Sequence, residues 1–322
     1  YELLIAIKVN QPVGRKTLLN FINMTERQLR TECEVLSKLG LITKKATGMS
    51  VTEKGEMLLL EIKESVINDA FVKERSFIKN HFSIKQVHIV AGDFINNEAT
   101  REEMTNLLLD KVNAKITKEC VIGVSGGSTM YYIAGRANET FGYGKDVTIT
   151  PIRGGLSVVN TEYQANDIAS KMAKNSGHSS QLLHAPDNIG QKALEELKKE
   201  PVVKNALDVI GKTSIIIHSI GNAFEMANRR KSSKDILKVL EEKNAVCESF
   251  GSYFDENGSE IFKTSTIGMS FKDVDGIDNV FTIVGGEEKA DAVYSYLNTK
   301  PANATLIIDE AICKKIIKKV NK

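Results

Sequence analysis

Apolar positions recur with two different periods along this 322-residue chain. Up to about residue 80 they fall three and four apart, the spacing of helices with one buried face. Glu2 to Val9 reads as one helix, and Lys16 to Ile22 as a second, opened by Gly14-Arg15. A third runs from Thr25, a capping residue, to about Leu39. In it Leu29, Cys33, Leu36 and Leu39 are expected to share one buried stripe, leaving Arg27, Arg30, Thr31 and Glu34 on the opposite side. After Leu39-Gly40 come two short extended runs around a basic, glycine-containing turn that includes Lys44 and Lys45, which predicts a hairpin. A long helical pattern then continues from Thr52 through Met57, Leu59, Ile62, Val66 and Ala70 to about Arg75. It connects two domains and pairs subunits, or it packs on the first helix.

Beyond Lys79 to Lys85 the pattern changes. Short runs rich in Val and Ile alternate with amphipathic segments: Gln86 to Val90, Cys120 to Val124, Val147 to Ile152, Gln181 to His184, Ser214 to His218, Val280 to Val284 and Thr305 to Ile308. Their continuous hydrophobicity implies strands buried on both faces, hence a parallel sheet with helices on each side. The expected architecture is an α/β, Rossmann-like, doubly wound domain over residues 81–322. Residues 1–80 precede it as a winged helix-turn-helix domain with a linker helix.

Composition adds little until it is divided. The 42% hydrophobic and 26% charged residues exclude disorder and collagen, and a net charge of +2 names no partner. Between Lys8 and Lys54, however, nine basic residues stand against four acidic ones. The small domain is basic and the remainder slightly acidic. Helix, helix, basic-faced helix and basic hairpin in this order predict DNA binding. Arg27, Arg30 and Thr31 would meet base edges in the major groove, and Lys44 and Lys45 of the wing would meet phosphates. The four cysteines are scattered without a Cys-x-x-Cys pair, so neither a disulfide framework nor a metal site is expected. No apolar run approaches the ~20 residues of a membrane span, and no basic-then-apolar leader opens the chain, so a cytoplasmic location is expected.

In such a sheet ligands sit beyond the carboxyl ends of the strands. Cys120 to Val124 is followed by Ser125-Gly126-Gly127-Ser128-Thr129-Met130 and a helix, which places glycines, two hydroxyls and a helix N-terminus together. That combination favours an anion. It lacks the Gly-Lys-Ser/Thr of a P-loop and the Gly-x-Gly-x-x-Gly of a dinucleotide site, which favours a smaller phosphorylated compound over ATP or NAD. Arg153-Gly154-Gly155 follows the next strand, where the guanidinium would hold the same phosphate or a sugar hydroxyl. Arg229-Arg230-Lys231 is a solvated run or a second phosphate site, and Lys289 follows the pair Gly285-Gly286 at a helix start.

The phrases Ser125 to Thr129, Pro151 to Leu156, Gln164-Ala165-Asn166, Met226 to Lys231, Glu248 to Gly251, Thr266-Ile267-Gly268 and Gly285 to Lys289, in this order, resemble the SorC family of bacterial sugar-responsive repressors. Within that family the chain looks most like the branch that regulates central glycolytic genes. The resemblance implies an effector domain of the sugar-phosphate isomerase/deaminase type, with fructose-1,6-bisphosphate as inducer and no cofactor. It further implies that Gly127, Ser128, Thr129 and Met130 hold one phosphate through the helix N-terminus, and that Arg153 and Gln164 reach the sugar or that phosphate. Arg229, Arg230, Glu248 and Lys289 would complete the pocket and the second phosphate site. Ser128 stands where the resemblance leads one to expect Thr, a change that keeps a hydroxyl.

The partners so implied are operator DNA, a phosphorylated sugar, and a second copy or more of the chain as homodimer or homotetramer, with no membrane. The rival is a sugar-phosphate isomerase or deaminase. The Asp-Gly-Ala-Asp-Glu segment of ribose-phosphate isomerases is absent; Asp273 to Asp278 has acids in another order, before a strand instead of after one. His218 reads as a core residue, and His81, His88, His178 and His184 form no recognisable set, so no catalytic or metal residue is expected.

Overall fold

A computed structural model describes residues 2–22, 24–59, 71–155, 161–186 and 190–321. It divides into two units, Tyr1–Val72 and Lys73–Lys322. In the smaller unit α1 (Glu2–Asn10), α2 (Arg15–Leu18) and α3 (Glu26–Lys38) precede an antiparallel hairpin of β1 (Ile42–Lys45) and β2 (Gly48–Val51). Helix α3 starts where Thr25 and Gln28 form a reciprocal capping box, which satisfies two amides that the first turn leaves without acceptors. It stops where Gly40, at φ +72°, donates to the Ser37 carbonyl and Leu41 donates to that of Leu36. This reversal corrects the expected stripe. Leu29 and Cys33 are fully buried, but Leu39 lies on the cap and is 54% exposed, while Leu41 fills the core position that Leu39 vacates. Residues 53–59 are helical; the expected continuation over 60–70 lies outside the described residues.

The larger unit opens with α4 (Val72–Phe82) and then alternates: β3 (Gln86–Val90), α5 (Glu98–Asn113), β4 (Glu119–Val124), α6 (Ser128–Arg136), β5 (Asp146–Pro151), α7 (Ala165–Ser176) and β6 (Ser179–Ser180). Helices α8 (Gln191–Leu197) and α9 (Pro201–Ile210) lead to β7 (Ile215–His218). Short strands β8 (Gly221–Asn222), β9 (Cys247–Ser249), β10 (Ser252–Phe254) and β11 (Glu260–Lys263), with α10 (Ala223–Arg229) and α11 (Lys234–Glu242) between the first two, interrupt the alternation. It resumes with β12 (Asn279–Val284), α12 (Ala290–Asn298), β13 (Ala304–Asp309) and α13 (Glu310–Val320).

Seven strands form one parallel sheet in the order β3-β13-β12-β7-β4-β5-β6. All six residues of β13 and all four of β7 are buried, as strands covered on both faces must be. The strand expected at Gln181 to His184 is not there. Two residues earlier Ser179–Ser180 pairs with β5, and then Asn166 substitutes its side-chain amide for a ladder, donating to the Leu183 carbonyl and accepting from the Leu183 N–H. The four-stranded antiparallel sheet β11-β10-β9-β8 was not legible in the pattern, its strands being two to four residues long. From β4 the chain steps outward to β5 and β6, whereas β7, β12 and β13 build the other side. The reversal between β4 and β7 opens a crevice at the carboxyl ends of those strands.

Candidate functional site

The crevice is built from backbone first. Val124 of β4 stands opposite Ile217 of β7, and beyond them the Ser125 N–H donates to the Ile217 carbonyl (3.1 Å) and the Ser219 N–H to Ser125 Oγ (3.2 Å). The next two positions need glycine for different reasons. A Cβ on Gly126 would lie 2.7 Å from the Tyr163 carbonyl, whereas Gly127 has open space but sits at φ +118°, where side chains are strained. Gly127 donates to that same carbonyl at 2.8 Å and caps α6 without a side chain. The Tyr131 N–H is the first to bond back, to Gly127, which leaves the amides of Ser128, Thr129 and Met130 without intrahelical acceptors at the positive end of the helix. Ser128 is exposed and Thr129 buried; the Met130 side chain is wholly in the hydrophobic core, so only its N–H is available to a ligand.

On the β5 side Arg153 is 8% exposed. Its Nε donates to Thr266 Oγ1 (3.1 Å) and its Nη1 lies 3.5 Å from Glu248 Oε1. The same carboxylate oxygen accepts from Arg230 Nη2 (3.0 Å) and from the Gly251 N–H (2.7 Å), and Arg230 Nη1 donates to the Tyr253 hydroxyl (3.1 Å). Two guanidiniums thus share one buried carboxylate. Burial alone would raise the Glu248 carboxyl; Arg230, Arg153 and the Gly251 amide outweigh it and hold the group below its usual range. Gly251, at φ +79° in the tight turn from β9 to β10, lets the Arg153 guanidinium lie against the backbone, 2.6 Å from where a Cβ would stand. Gln164, at the N-cap of α7, packs its side chain against Gly155.

Lys289 stands on the opposite side, after β12. Its Nζ lies 3.4 Å from Thr129 Oγ1. Burial lowers its pKa, and the carboxylates of Glu288 and Glu225 oppose this without cancelling it. The turn carrying it is pinned by Asp309, whose fully buried carboxylate accepts from the N–H groups of Gly286 (2.6 Å), Phe94 (2.9 Å) and Ile312 (2.9 Å). Gly285 admits the Phe94 side chain, whose Cβ would lie 2.2 Å from a Cβ placed there. Arg229 does not join the Arg153 network; it pairs with Glu225 at 2.6 Å on the exposed side of α10. Of the candidate residues, the structure therefore brings Arg153, Arg230 and Glu248 into one cluster and the α6 N-terminus and Lys289 into another. Sequence reasoning passed over Thr266, Tyr253 and Asp309. The first lay inside a quoted phrase without a role, and the last was readable as an aspartate ahead of a helix.

In the smaller unit Arg27, Arg30 and Thr31 are exposed on α3, and Lys44 and Lys45 on β1. Arg30 meets Glu34 at 3.3 Å, with both side chains more than half exposed, a pairing weak enough to exchange for another anion. The Thr31 hydroxyl donates back to the Arg27 carbonyl at 3.1 Å.

His218 is 1% exposed, bonded to Thr282 Oγ1 at 2.7 Å and packed at a tilt against the Phe250 ring, and burial pushes its pKa down to about 4. All four cysteines are buried and unpaired. Among the described residues no His, Cys, Asp and Glu side chains group as a metal site, and no helix is long and apolar enough to cross a membrane.

Comparisons with known proteins agree along the chain. Residues 69–318 match the Sugar-bind family, a sugar-binding domain, and residues 1–66 match the CggR N-terminal DNA binding domain. The central glycolytic genes regulator of Bacillus subtilis (strain 168) is 31% identical over 99% of this chain and 93% of its own length. That of Priestia megaterium is 32% identical over 100% and 94%. Among solved structures, a SorC family transcriptional regulator from Enterococcus faecalis superposes with a TM-score of 0.71 and 32% identity, over 76% of this chain and 99% of that one. The full-length sorbitol operon regulator SorC from Klebsiella pneumoniae, at 14% identity and a TM-score of 0.66 over 95% and 94%, shares the fold.

Proposed function

The chain belongs to the SorC family of sugar-binding transcriptional regulators, a regulator and not a sugar-phosphate enzyme, and from that premise we propose that it is a cytoplasmic repressor of glycolytic genes released by fructose-1,6-bisphosphate. One observation carries the choice of a doubly phosphorylated ligand. Cationic groups flank a single crevice from both sides, with Lys289 after β12 and Arg153 and Arg230 toward β5, at strands three spacings or roughly 14 Å apart. One phosphate would take the free amides of Ser128, Thr129 and Met130 with Gly127, the Thr129 hydroxyl and Lys289. The other would take the guanidinium donors of Arg153 and Arg230, with Gln164 and Glu248 accepting from sugar hydroxyls and Arg229 at the rim.

The DNA partner is read by Arg27, Arg30 and Thr31 on α3, with Lys44 and Lys45 on the backbone. A homodimer or homotetramer pairs these units on a two-fold operator. The effector acts by favouring one arrangement of the oligomer over the other; a ligand indifferent to the two would change nothing. Operator titrations with and without fructose-1,6-bisphosphate test the coupling. The expected result is weaker or less cooperative binding at saturating ligand, and superimposed curves would overturn it.

A further inference from the structure

We propose that Lys289 is a covalent acylation site for small acyl phosphates, and that the acylated chain no longer responds to its phosphorylated effector. The inference rests on reading the crevice as a sugar-phosphate site and extends it to a reaction at one amine.

The lysines of the large unit differ in their surroundings. Lys314 pairs with Glu310, Lys315 with Glu287 at 3.2 Å, and Lys319 with both Glu256 and Asp291 at 2.6 Å. Lys171 places Nζ 3.4 Å from the centroid of the Tyr131 ring, a cation–π contact. The paired carboxylates raise the pKa of Lys314 and Lys319, which keeps these two amines protonated. Lys289 is half-buried, and among the described residues its Nζ meets no carboxylate within 4.0 Å; the Thr129 hydroxyl is the polar group beside it. Burial strips water from the ammonium, and Arg229 adds like charge. The more distant carboxylates of Glu288, Glu225 and Asp309 offset only part of this, so more of the neutral amine is present than at an exposed lysine.

Position completes the argument. Thr129 belongs to the first turn of α6, whose amides at Ser128, Thr129 and Met130 can hold a phosphate group. An acyl phosphate seated there by its phosphate brings its carbonyl carbon to the amine beside Thr129, and this proximity replaces a random encounter. The Nζ lone pair attacks the carbonyl carbon and a C–N bond forms. The C–O bond to phosphate breaks, and phosphate departs with the bonding pair. One nitrogen proton passes to the departing phosphate, and a neutral amide remains. No oxidant or reductant is required. The amide removes the cation and fills the space above the amides, which excludes the phosphate of the effector.

The test treats the full chain with acetyl phosphate and follows acetylation at each lysine by peptide mass spectrometry, with and without excess fructose-1,6-bisphosphate. Lys289 is expected to react faster than Lys314 or Lys319, since the neutral amine is the nucleophile, and the bisphosphate is expected to suppress it. Parity with Lys314, or reaction undiminished by the bisphosphate, overturns the proposal. Thermal-shift titration of the same preparation separates the two readings: a bisphosphate shift with parity sinks the acylation alone, and no shift sinks the site with it. A Lys314→Arg chain, altered at an exposed lysine outside the crevice, should lose its bisphosphate shift after acetyl phosphate treatment just as the unsubstituted chain does. A shift retained in Lys314→Arg would place the acylation that matters at Lys314 and contradict the assignment.

Discussion

Glu248 is the residue on which the β5 side of the crevice depends. Its buried carboxylate compensates two guanidiniums and ties the Gly251 turn. Glu248→Ala would remove the carboxylate that both arginines share, and the expected loss of stability is about 3–5 kcal/mol, measured by urea unfolding. The pH dependence has a definite sign. A carboxyl held lower in the folded chain than in the unfolded one stabilises fully above its unfolded value and loses that contribution as pH falls through the folded one. Stability should therefore fall below about pH 5, and less steeply in Glu248→Gln; equal slopes would remove Glu248 from the account. None of this was legible from residue types. The arginines and the glutamate were singled out, but their sharing of one oxygen depends on β9 pairing with β8 across a small sheet that the pattern did not reveal.

At the scale of elements, the strand-turn-helix unit from β4 to α6 was readable because its parts are adjacent in sequence, and each local preference agrees with the others. Partners far along the chain were not. The Tyr163 carbonyl that requires Gly126 to lack a Cβ comes from the approach to α7, more than thirty residues away. Gly126→Ala must push that segment back and should cost the chain its bisphosphate response, read by isothermal titration, while the DNA unit stays folded. Unchanged affinity would mean the Gly126–Tyr163 contact does not shape the site. The hairpin of the small unit was legible for the same reason as the β4 turn. On the phosphate-contacting role proposed for it, Lys44→Ala and Lys45→Ala should weaken operator binding evenly across sequences and lower the salt dependence by about 0.9 each in log–log slope. Loss of sequence preference without a change in slope would make these residues base readers instead.

For the whole molecule, the order of strands does what no single motif could. It places the end of β12 and the end of β5 on opposite sides of one crevice between β4 and β7, so residues 136 positions apart in sequence, Arg153 and Lys289, serve one ligand in the reading advanced above. The alternating pattern predicted the sheet but not its order, since periodicity reports burial and not neighbours. The near-zero net charge likewise concealed a basic small unit beside a slightly acidic remainder. The most direct test of the central claim is thermal unfolding with fructose-1,6-bisphosphate, comparing the chain with Lys289→Ala, a change at a half-buried side chain with no ion pair among the described residues. At a hundredfold excess over the dissociation constant the ligand should add about 2.7 kcal/mol, an upward shift of roughly 5–10 °C for a domain of this size, and Lys289→Ala should lose most of it. No shift in the unsubstituted chain, or the same shift in both, would contradict the account.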